Sequence, residues 1–128
     1  MNKLIIDVAN EKIFLMIITN TSIYNITHEN TKFNYEKLTI IINDFLSSKN
    51  IKIVDIHAIY INTGTGSFAG IRNAMSVVKA FNIAKNIDYY CYNLHDFKDE
   101  KDLSYENIPN LCKKYIIKKN LINPIYIS

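Results

Sequence analysis

The sequence predicts a single α/β domain that begins with three antiparallel strands and continues with alternating helices and strands. The length of 128 residues suits one domain. Three short segments of strand character follow one another with very short turns, and later segments carry apolar residues at helical spacing. Hydrophobic residues make up 48% of the chain and charged residues 21%, which excludes an intrinsically disordered protein.

The first three strands are predicted at residues 3–8, 12–18 and 22–28. The first two segments are apolar runs, and the third alternates between polar and apolar side chains. The intervening turns are too short for a parallel connection, which needs about a dozen residues or more. The chain therefore opens with an antiparallel meander.

A first helix is predicted at residues 35–48. Asn34 is the expected N-cap, and Glu36 lies in the first turn, where the helix dipole favours an acidic side chain. Ile40 points away from the apolar face. That face comprises Tyr35, Leu38, Ile41, Ile42, Phe45 and Leu46.

A second helix is predicted at residues 68–86, between strands at 57–62 and 89–93. Its apolar arc covers roughly half the circumference, which is more than one sheet face buries. The excess surface requires another helix, which belongs either to this chain or to another protein. The arc comprises Phe68, Ile71, Ala74, Met75, Val77, Val78, Phe81 and Ala84.

The remainder of the chain is predicted as a polar connector at residues 98–104, a third helix at 107–119 and a short tail. The apolar segment at the beginning of the chain is interrupted by Asp7, which favours a strand over a signal peptide. No apolar run reaches the ~20 residues that span a bilayer. Cys91 and Cys112 lack metal-ligand spacing, which favours reduced, buried thiols in a cytoplasmic protein.

Glycine and arginine are rare in this chain and are concentrated at one predicted turn. All three glycines, Gly64, Gly66 and Gly70, and the only arginine, Arg72, fall between a predicted strand and a predicted helix. Glycine permits positive φ and close backbone approach, and backbone N–H groups at a helix start can bind an anion. A purely connecting role for the turn remains equally open. The spacing fits neither a P-loop nor a hydrolase nucleophile elbow, and it departs from the dinucleotide fingerprint.

The segment TGTGSFAGIRNAMSVVKAFNIA resembles the GPGSFTGLRIGxxxxKGLA signature of the bacterial TsaB family, which belongs to tRNA threonylcarbamoyladenosine biosynthesis. LIIDVAN is similar to the family's LxIDTS strand, and NYEKLTIIINDFL resembles its HSExLxPxIxxLL helix. The resemblance covers residues 3–97 and roughly the last twenty. It departs from the family at Thr65, Ala69 and Ala74, and at Val8 and Ala9, which replace hydroxyl residues.

The resemblance implies a single actin-like/ribonuclease H-like lobe over residues 1–128. This lobe would contain a mixed five-stranded sheet, with the meander and parallel strands, and helices packed on it. The connector at 98–104 would replace the family's second lobe.

The resemblance also implies a non-catalytic scaffold that binds a TsaD-type transferase through helices 35–48 and 68–86. The complex modifies adenosine 37 of tRNA, and a TsaE-type ATPase is a further expected partner. No cofactor, no membrane and only indirect tRNA contact are expected, and the chain alone is expected to form a homodimer through the same helical face. The implied partner-binding residues are Glu36, Leu38, Ile40, Phe68, Ile71, Arg72, Ala74, Met75, Val77, Val78 and Phe81.

On this interpretation Gly64, Gly66, Ser67 and Gly70 shape the turn. Arg72 would pair with Asp7, with Glu36 or with the partner. Lysines at 113, 114, 118 and 119 are interpreted as a solvated face of the third helix, with tRNA contact as the less favoured alternative.

The alternative function is a nucleotide-binding or hydrolytic enzyme. It would use the turn at 63–72 as an anion cradle and Asp7 as a metal or water ligand. No partner acid or base is apparent in the sequence, because His28, His57 and His95 lie on separate predicted elements.

Overall fold

The computed structural model describes residues 1–122 and the backbone of 126–127, without the side chains of Ser67 and Phe68. The predictions for those two side chains and for most of the tail lie outside the described residues. The strands are β1 (Asn2–Asp7), β2 (Lys12–Ile18), β3 (Ile23–Glu29), β4 (Ile56–Asn62), β5 (Gly66–Ser67), β6 (Asp88–Tyr92) and β7 (Tyr126–Ile127). The helices are α1 (Lys32–Tyr35), α2 (Leu38–Ser48), α3 (Phe68–Lys85) and α4 (Ile108–Lys114), with 3₁₀ turns at Ile53–Asp55, Leu94–Phe97 and Tyr105–Asn107.

The predicted mixed sheet of five strands is confirmed, with the strand order β3-β2-β1-β4-β6. The strands of the meander pair antiparallel, β4 pairs parallel with β1, and β6 pairs parallel with β4. The connections between parallel strands pass through helices, because joining two parallel strands requires a long crossover segment. A second, two-residue parallel pairing joins β5 to β7.

Helices cover both faces of the sheet. On one face, α2 and α3 bury a core that includes Leu4, Ile6 and Ile59. On the other face, the Leu94–Phe97 turn and α4 pack over Ile5 and Tyr60. Side chains of successive strand residues point to opposite faces, so the nearly continuous apolar runs in β1 and β2 reflect burial on both sides. Within residues 1–122 and 126–127, no helix is long and apolar enough to cross a membrane.

The prediction of one helix over residues 35–48 is wrong. The chain forms the short helix α1 and then α2, because Thr31 rather than Asn34 acts as the first N-cap and accepts the Asn34 backbone N–H at 3.2 Å. Helix α1 then ends in a tightened turn, in which the Lys37 N–H donates to the Asn34 carbonyl at 3.0 Å. Glu36 is consequently the C-cap of α1 rather than a first-turn residue of a long helix.

The third predicted helix, 107–119, is too long. Helix α4 ends at Lys114, because Ile116 adopts a left-handed φ of 56° and the Ile117 N–H closes the end on the Cys112 carbonyl at 2.9 Å. Lys118 and Lys119 therefore follow the helix instead of lying on it. Lys119 forms an isolated bridge with Tyr90 at the β6 edge.

Candidate functional site

Three parallel strands end at the same edge of the sheet and bring polar side chains together there. Asp7 at the end of β1 pairs in register with Asn62 of β4, which pairs with Tyr92 of β6. Residues in register share one face of a sheet, and here it is the face covered by α4. In open sheets with parallel strands, the carboxyl ends of the strands are a common place for function.

Asp7 is the centre of this cluster and is only 2% exposed. One carboxylate oxygen accepts the Ala9 backbone N–H at 2.9 Å. The other accepts the side-chain amides of Asn10 and Asn62, both at 3.1 Å, and the Tyr105 hydroxyl at 2.7 Å. Four donors therefore satisfy a buried carboxylate, which would otherwise carry a large desolvation cost.

The tyrosines around Asp7 respond to its charge. Burial, reinforced by the Asp7 carboxylate, holds the pKa of Tyr105 well above its usual value. Burial and the same carboxylate also raise the pKa of Tyr92. The Tyr105 ring stacks on Phe14, with centroids 4.0 Å apart and planes 15° apart. The neutral phenol of Tyr105 is thus held as a donor to Asp7.

The glycine turn is joined to this cluster by hydrogen bonds. The Asn62 side-chain oxygen accepts the Gly64 N–H at 3.2 Å, and the Thr63 N–H donates to the Tyr92 carbonyl at 2.8 Å. None of the three glycines has a positive φ, so the turn does not use the conformational freedom expected of it. Close approach explains Gly66, where an added Cβ would lie 2.6 Å from the Ala9 carbonyl oxygen.

A cleft of about 310 Å³ opens beside the cluster. Its lining side chains are neutral amides, hydroxyl and apolar groups together with one histidine, and they include no lysine, arginine or carboxylate. Within the part of the chain that the structure describes, no three His, Cys, Asp or Glu residues form a group that could hold a metal ion. The lining residues are Asn10, Asn62, Gly64, Thr65, Leu94 and His95.

The implied partner-binding residues other than Phe68, whose side chain is not described, divide into buried, half-buried and exposed positions. Leu38, Ile71, Ala74, Met75 and Val78 are buried in the chain's own core, at 7% exposure or less. A partner could reach these side chains only if that core opened, and their role in partner binding stays a prediction. Val77 and Phe81 are half-buried, while Glu36, Ile40 and Arg72 are exposed.

Part of the wide apolar arc of the second predicted helix is therefore covered by the chain's own core. The sheet and α2 cover Ile71, Ala74 and Val78 from within the chain. The exposed surface of α3 includes a shallow cleft of about 400 Å³, lined by Tyr35, Ala69, Arg72, Asn73 and Ser76.

Two residues of the described clefts and contacts are not apparent from the sequence. Tyr105 lies outside every predicted element, and nothing in its sequence neighbourhood links it to Asp7. Tyr35 was assigned to an apolar helix face, yet it lines the cleft beside Arg72. Its position in a separate short helix, α1, explains the difference.

No family model and no curated protein matches this chain. Solved structures do. YeaZ (TsaB) from Pseudomonas aeruginosa is similar with a TM-score of 0.66 and 18% identity, over 72% of this chain and 43% of the other. An uncharacterised protein described as similar to peptidase YeaZ from the same organism gives a TM-score of 0.66 and 16% identity, over 77% and 49%.

A Thermus thermophilus RuvC structure, in complex with a Holliday junction substrate, is similar with a TM-score of 0.54 and 10% identity, over 91% of this chain and 78% of the other. The chain spans less than half the length of the YeaZ structures that it matches. Identities this low establish the fold and leave the activity open. The chain has the ribonuclease H-like/actin-like α/β fold of these proteins.

Proposed function

We propose that this chain is a non-catalytic partner subunit of the complex that makes N6-threonylcarbamoyladenosine at tRNA position 37. In this proposal it is cytoplasmic, it binds a TsaD-type transferase, and a TsaE-type ATPase is a further member of the assembly. Likeness of fold to YeaZ and the resemblance of the glycine-turn segment to the TsaB signature support the same family.

The observation that carries the non-catalytic role is the engagement of Asp7. Its carboxylate accepts four hydrogen bonds from the chain's own groups. Three of these donors share one carboxylate oxygen, so a metal ion or an attacking water that used that oxygen would have to displace at least one of them. Asp7 thus acts as an anchor between β1 and the segment before α4.

The docking surface in this proposal is the exposed side of α1, α2 and α3. Ile40 is 58% exposed on α2, and an apolar side chain of that size on an otherwise polar helix face is a suitable anchor for a partner helix. Arg72 of α3 and Tyr35 of α1 line the cleft of about 400 Å³, and Arg and Tyr are enriched at interfaces. Arg72 would contribute a charge-assisted contact to the partner.

The segment 98–104 belongs to the same proposal, as the place where a second lobe is replaced by a short connector. Contact with tRNA would be indirect. Of the four lysines near α4, Lys114 is paired with Glu100 and Lys119 with Asp88, as expected of a solvated, internally compensated face.

The alternative of a nucleotide-binding or hydrolytic enzyme has one supporting observation, the cleft beside Asp7. Among the residues that the structure describes, no lysine or arginine lines this cleft to bind a phosphate. Co-purification with the transferase from the same genome tests the main proposal, and calorimetry with a magnesium nucleotide tests the alternative.

A further inference from the structure

A third cleft, of about 430 Å³, lies between the sheet and α4. Lys3, Tyr60 and Tyr90 line it from the sheet. Tyr60 is in register with Tyr90 and with Ile5, and Lys3 lies two residues before Ile5. Residues two apart on a strand share a face, so all three side chains lie on the face that α4 covers. The other lining residues belong to α4 or to the turn after it: Pro109, Asn110, Cys112, Lys113, Ile116 and Ile117.

Aromatic and aliphatic side chains give this cleft its apolar surface. The rings of Tyr60 and Tyr90 stack, with centroids 5.0 Å apart and planes 11° apart. Ile117 is half-buried against the same core cluster, whereas Ile116 is 82% exposed. Small-molecule sites are usually lined by side chains of these types, and tyrosine rings favour contact with other flat rings. The cleft therefore suits a planar ring.

The turn after α4 holds one lining residue in a strained conformation. Ile116 has a φ of 56°, in the left-handed region that disfavours β-branched residues. Strained residues of this kind cluster at ligand-binding and other functional sites. The strain at Ile116 is thus a second observation that points to a ligand at this cleft.

Two lysines make the cleft positive. Within residues 1–122 and 126–127, neither Lys3 nor Lys113 forms an ion pair, and the lining includes no carboxylate. Burial raises the pKa of the Cys112 thiol and that of the Tyr60 phenol to about 12, so both groups are neutral at neutral pH. The lining therefore attracts an anion.

The acidic side chain that follows Lys3 across the sheet is already engaged. Lys3 is in register with Ala58, which is in register with Asp88. The Asp88 carboxylate lies 3.5 Å from the Lys119 amine and accepts the Asn120 side-chain amide at 3.0 Å. Asp88 is thus compensated by groups outside the cleft.

We propose that this cleft binds a small molecule composed of a flat aromatic ring and a phosphate monoester. The ring lies against the tyrosines and isoleucines, and Lys3 from the sheet and Lys113 from α4 share the phosphate. A phosphate monoester carries nearly two negative charges at neutral pH, which matches two lysines. Lysine binds phosphate as a point charge, whereas a carboxylate is better matched by the arginine fork, which the lining lacks. This inference does not depend on the proposed function.

The test titrates the purified full chain with phenyl phosphate and follows its backbone amides by NMR. We expect saturable chemical-shift changes at lining residues such as Tyr90, Asn110 and Lys113, with a Kd of about 1 mM or below, as for other ligands of this size. Phenol lacks the phosphate and inorganic phosphate lacks the ring, so each should bind at least about tenfold more weakly. Inorganic phosphate that binds as tightly as phenyl phosphate would contradict the role of the ring.

A pair of charge variants tests the two lysines. Lys3→Gln combined with Lys113→Gln should weaken binding of phenyl phosphate by about tenfold or more, because each lysine supplies a charged donor. Neither side chain is buried, so the variant should fold, which circular dichroism checks. The matched control, Lys98→Gln with Lys101→Gln, removes the same charge at exposed positions outside the cleft and should keep the affinity.

Two results would overturn the proposal. One is the absence of saturable shifts at the lining residues up to roughly 10 mM phenyl phosphate, a concentration well above the expected Kd. The other is equal affinity of the Lys3/Lys113 variant and the Lys98/Lys101 control.

Discussion

The Tyr105 hydroxyl donates a 2.7 Å hydrogen bond to the buried carboxylate of Asp7, across 98 positions of sequence. The same ring stacks on Phe14 of β2. These two contacts fix the segment before α4 to the carboxyl edge of the sheet. The buried Asp7 carboxylate at the end of β1 therefore has a structural role, which is to hold this segment in place. No catalytic role is needed to explain it.

Replacing Tyr105 with phenylalanine tests this anchor. Tyr105→Phe keeps the ring that stacks on Phe14 and removes one donor to a buried charge. We expect the free energy of unfolding to fall by about 2 kcal/mol, the range for a hydrogen bond to a charged group. Urea denaturation monitored by circular dichroism measures the change.

Tyr115→Phe is the matched control for that variant. The Tyr115 hydroxyl also donates to a carboxylate, that of Glu100, at 2.9 Å, but near the surface. Because water replaces the lost donor there, we expect little change in stability. Equal losses for the two variants would show that burial of Asp7 contributes nothing, contrary to the account.

Alkaline pH should destabilise the chain through its buried tyrosines. Burial, with Tyr90 and Cys112 nearby, raises the pKa of Tyr60 to about 12. Below pH ~10 the phenol is neutral in both states, so its contribution is complete. Above pH ~10 the unfolded chain loses this proton first, and the free energy of unfolding falls until the pH passes the folded pKa.

Tyr60→Phe should remove that part of the pH dependence. We expect the unfolding free energy of the original chain, measured relative to that of the variant, to fall by about 1 kcal/mol between pH ~9 and pH ~11. Urea denaturation at the two pH values provides the measurement, and the lower pH isolates the packing effect of the lost hydroxyl. A difference that is constant with pH would contradict the assigned burial.

Two glycines of the turn should respond oppositely to alanine. A Cβ at Gly66 would lie 2.6 Å from the carbonyl oxygen and 2.7 Å from the Cα of Ala9, so the backbone must shift. We expect Gly66→Ala to cost about 1–3 kcal/mol, as overpacking does. At Gly70 in α3 the nearest atom, on Tyr35, is 3.7 Å away.

Gly70→Ala should therefore stabilise the chain by about 0.5–1 kcal/mol, because alanine restricts the unfolded chain and favours a helix. Thermal unfolding of the two variants side by side checks both signs. A loss of stability at Gly70 comparable to that at Gly66 would indicate a requirement at Gly70 that these ordinary contact distances do not explain.

Magnesium-ATP should bind weakly to the isolated chain. The cleft beside Asp7 has no lysine or arginine in its lining, and the Asp7 carboxylate is engaged by four donors. We expect isothermal calorimetry at millimolar nucleotide to give no micromolar affinity. Micromolar binding that Asp7→Asn abolishes would favour the enzymatic alternative over the scaffold.

The sheet is well predicted because each strand and each tight turn is specified by a short stretch of neighbouring residues. Apolar runs and short turns determine β1, β2 and β3 to within a residue, and the observed β2 is the predicted 12–18. Helix ends were less predictable, since Thr31 and Asn34 are both good N-caps and only the surrounding contacts decide between them. The left-handed turn at Ile116, which shortens α4, contradicts the preference of a β-branched residue.

The site could be predicted only in part. Its glycine turn is visible as a concentration of rare residues, and Asp7 stands out in an apolar strand. Tyr105 is joined to Asp7 by tertiary packing alone, which no local pattern reports. The buried positions Ala74 and Val78 looked like an interface because helical periodicity shows which residues are apolar, not which element covers them.

Disruption of the helical surface provides the residue-level test of the proposed partner. Ile40→Glu places a charge where the account puts an interface anchor, whereas Val54→Glu does the same at another exposed apolar position, in the Ile53–Asp55 turn. Both side chains are exposed, so both variants should fold. We expect only Ile40→Glu to weaken transferase binding, by roughly tenfold or more.

Co-expression of this chain with the TsaD-type transferase of the same genome, followed by size-exclusion chromatography with light scattering, tests the central claim most directly. We expect a stable complex of the two proteins that forms with Val54→Glu and is weakened about tenfold or more by Ile40→Glu. If the two proteins elute separately at micromolar concentration, the chain shares only the fold of YeaZ, and the partner-subunit proposal is wrong.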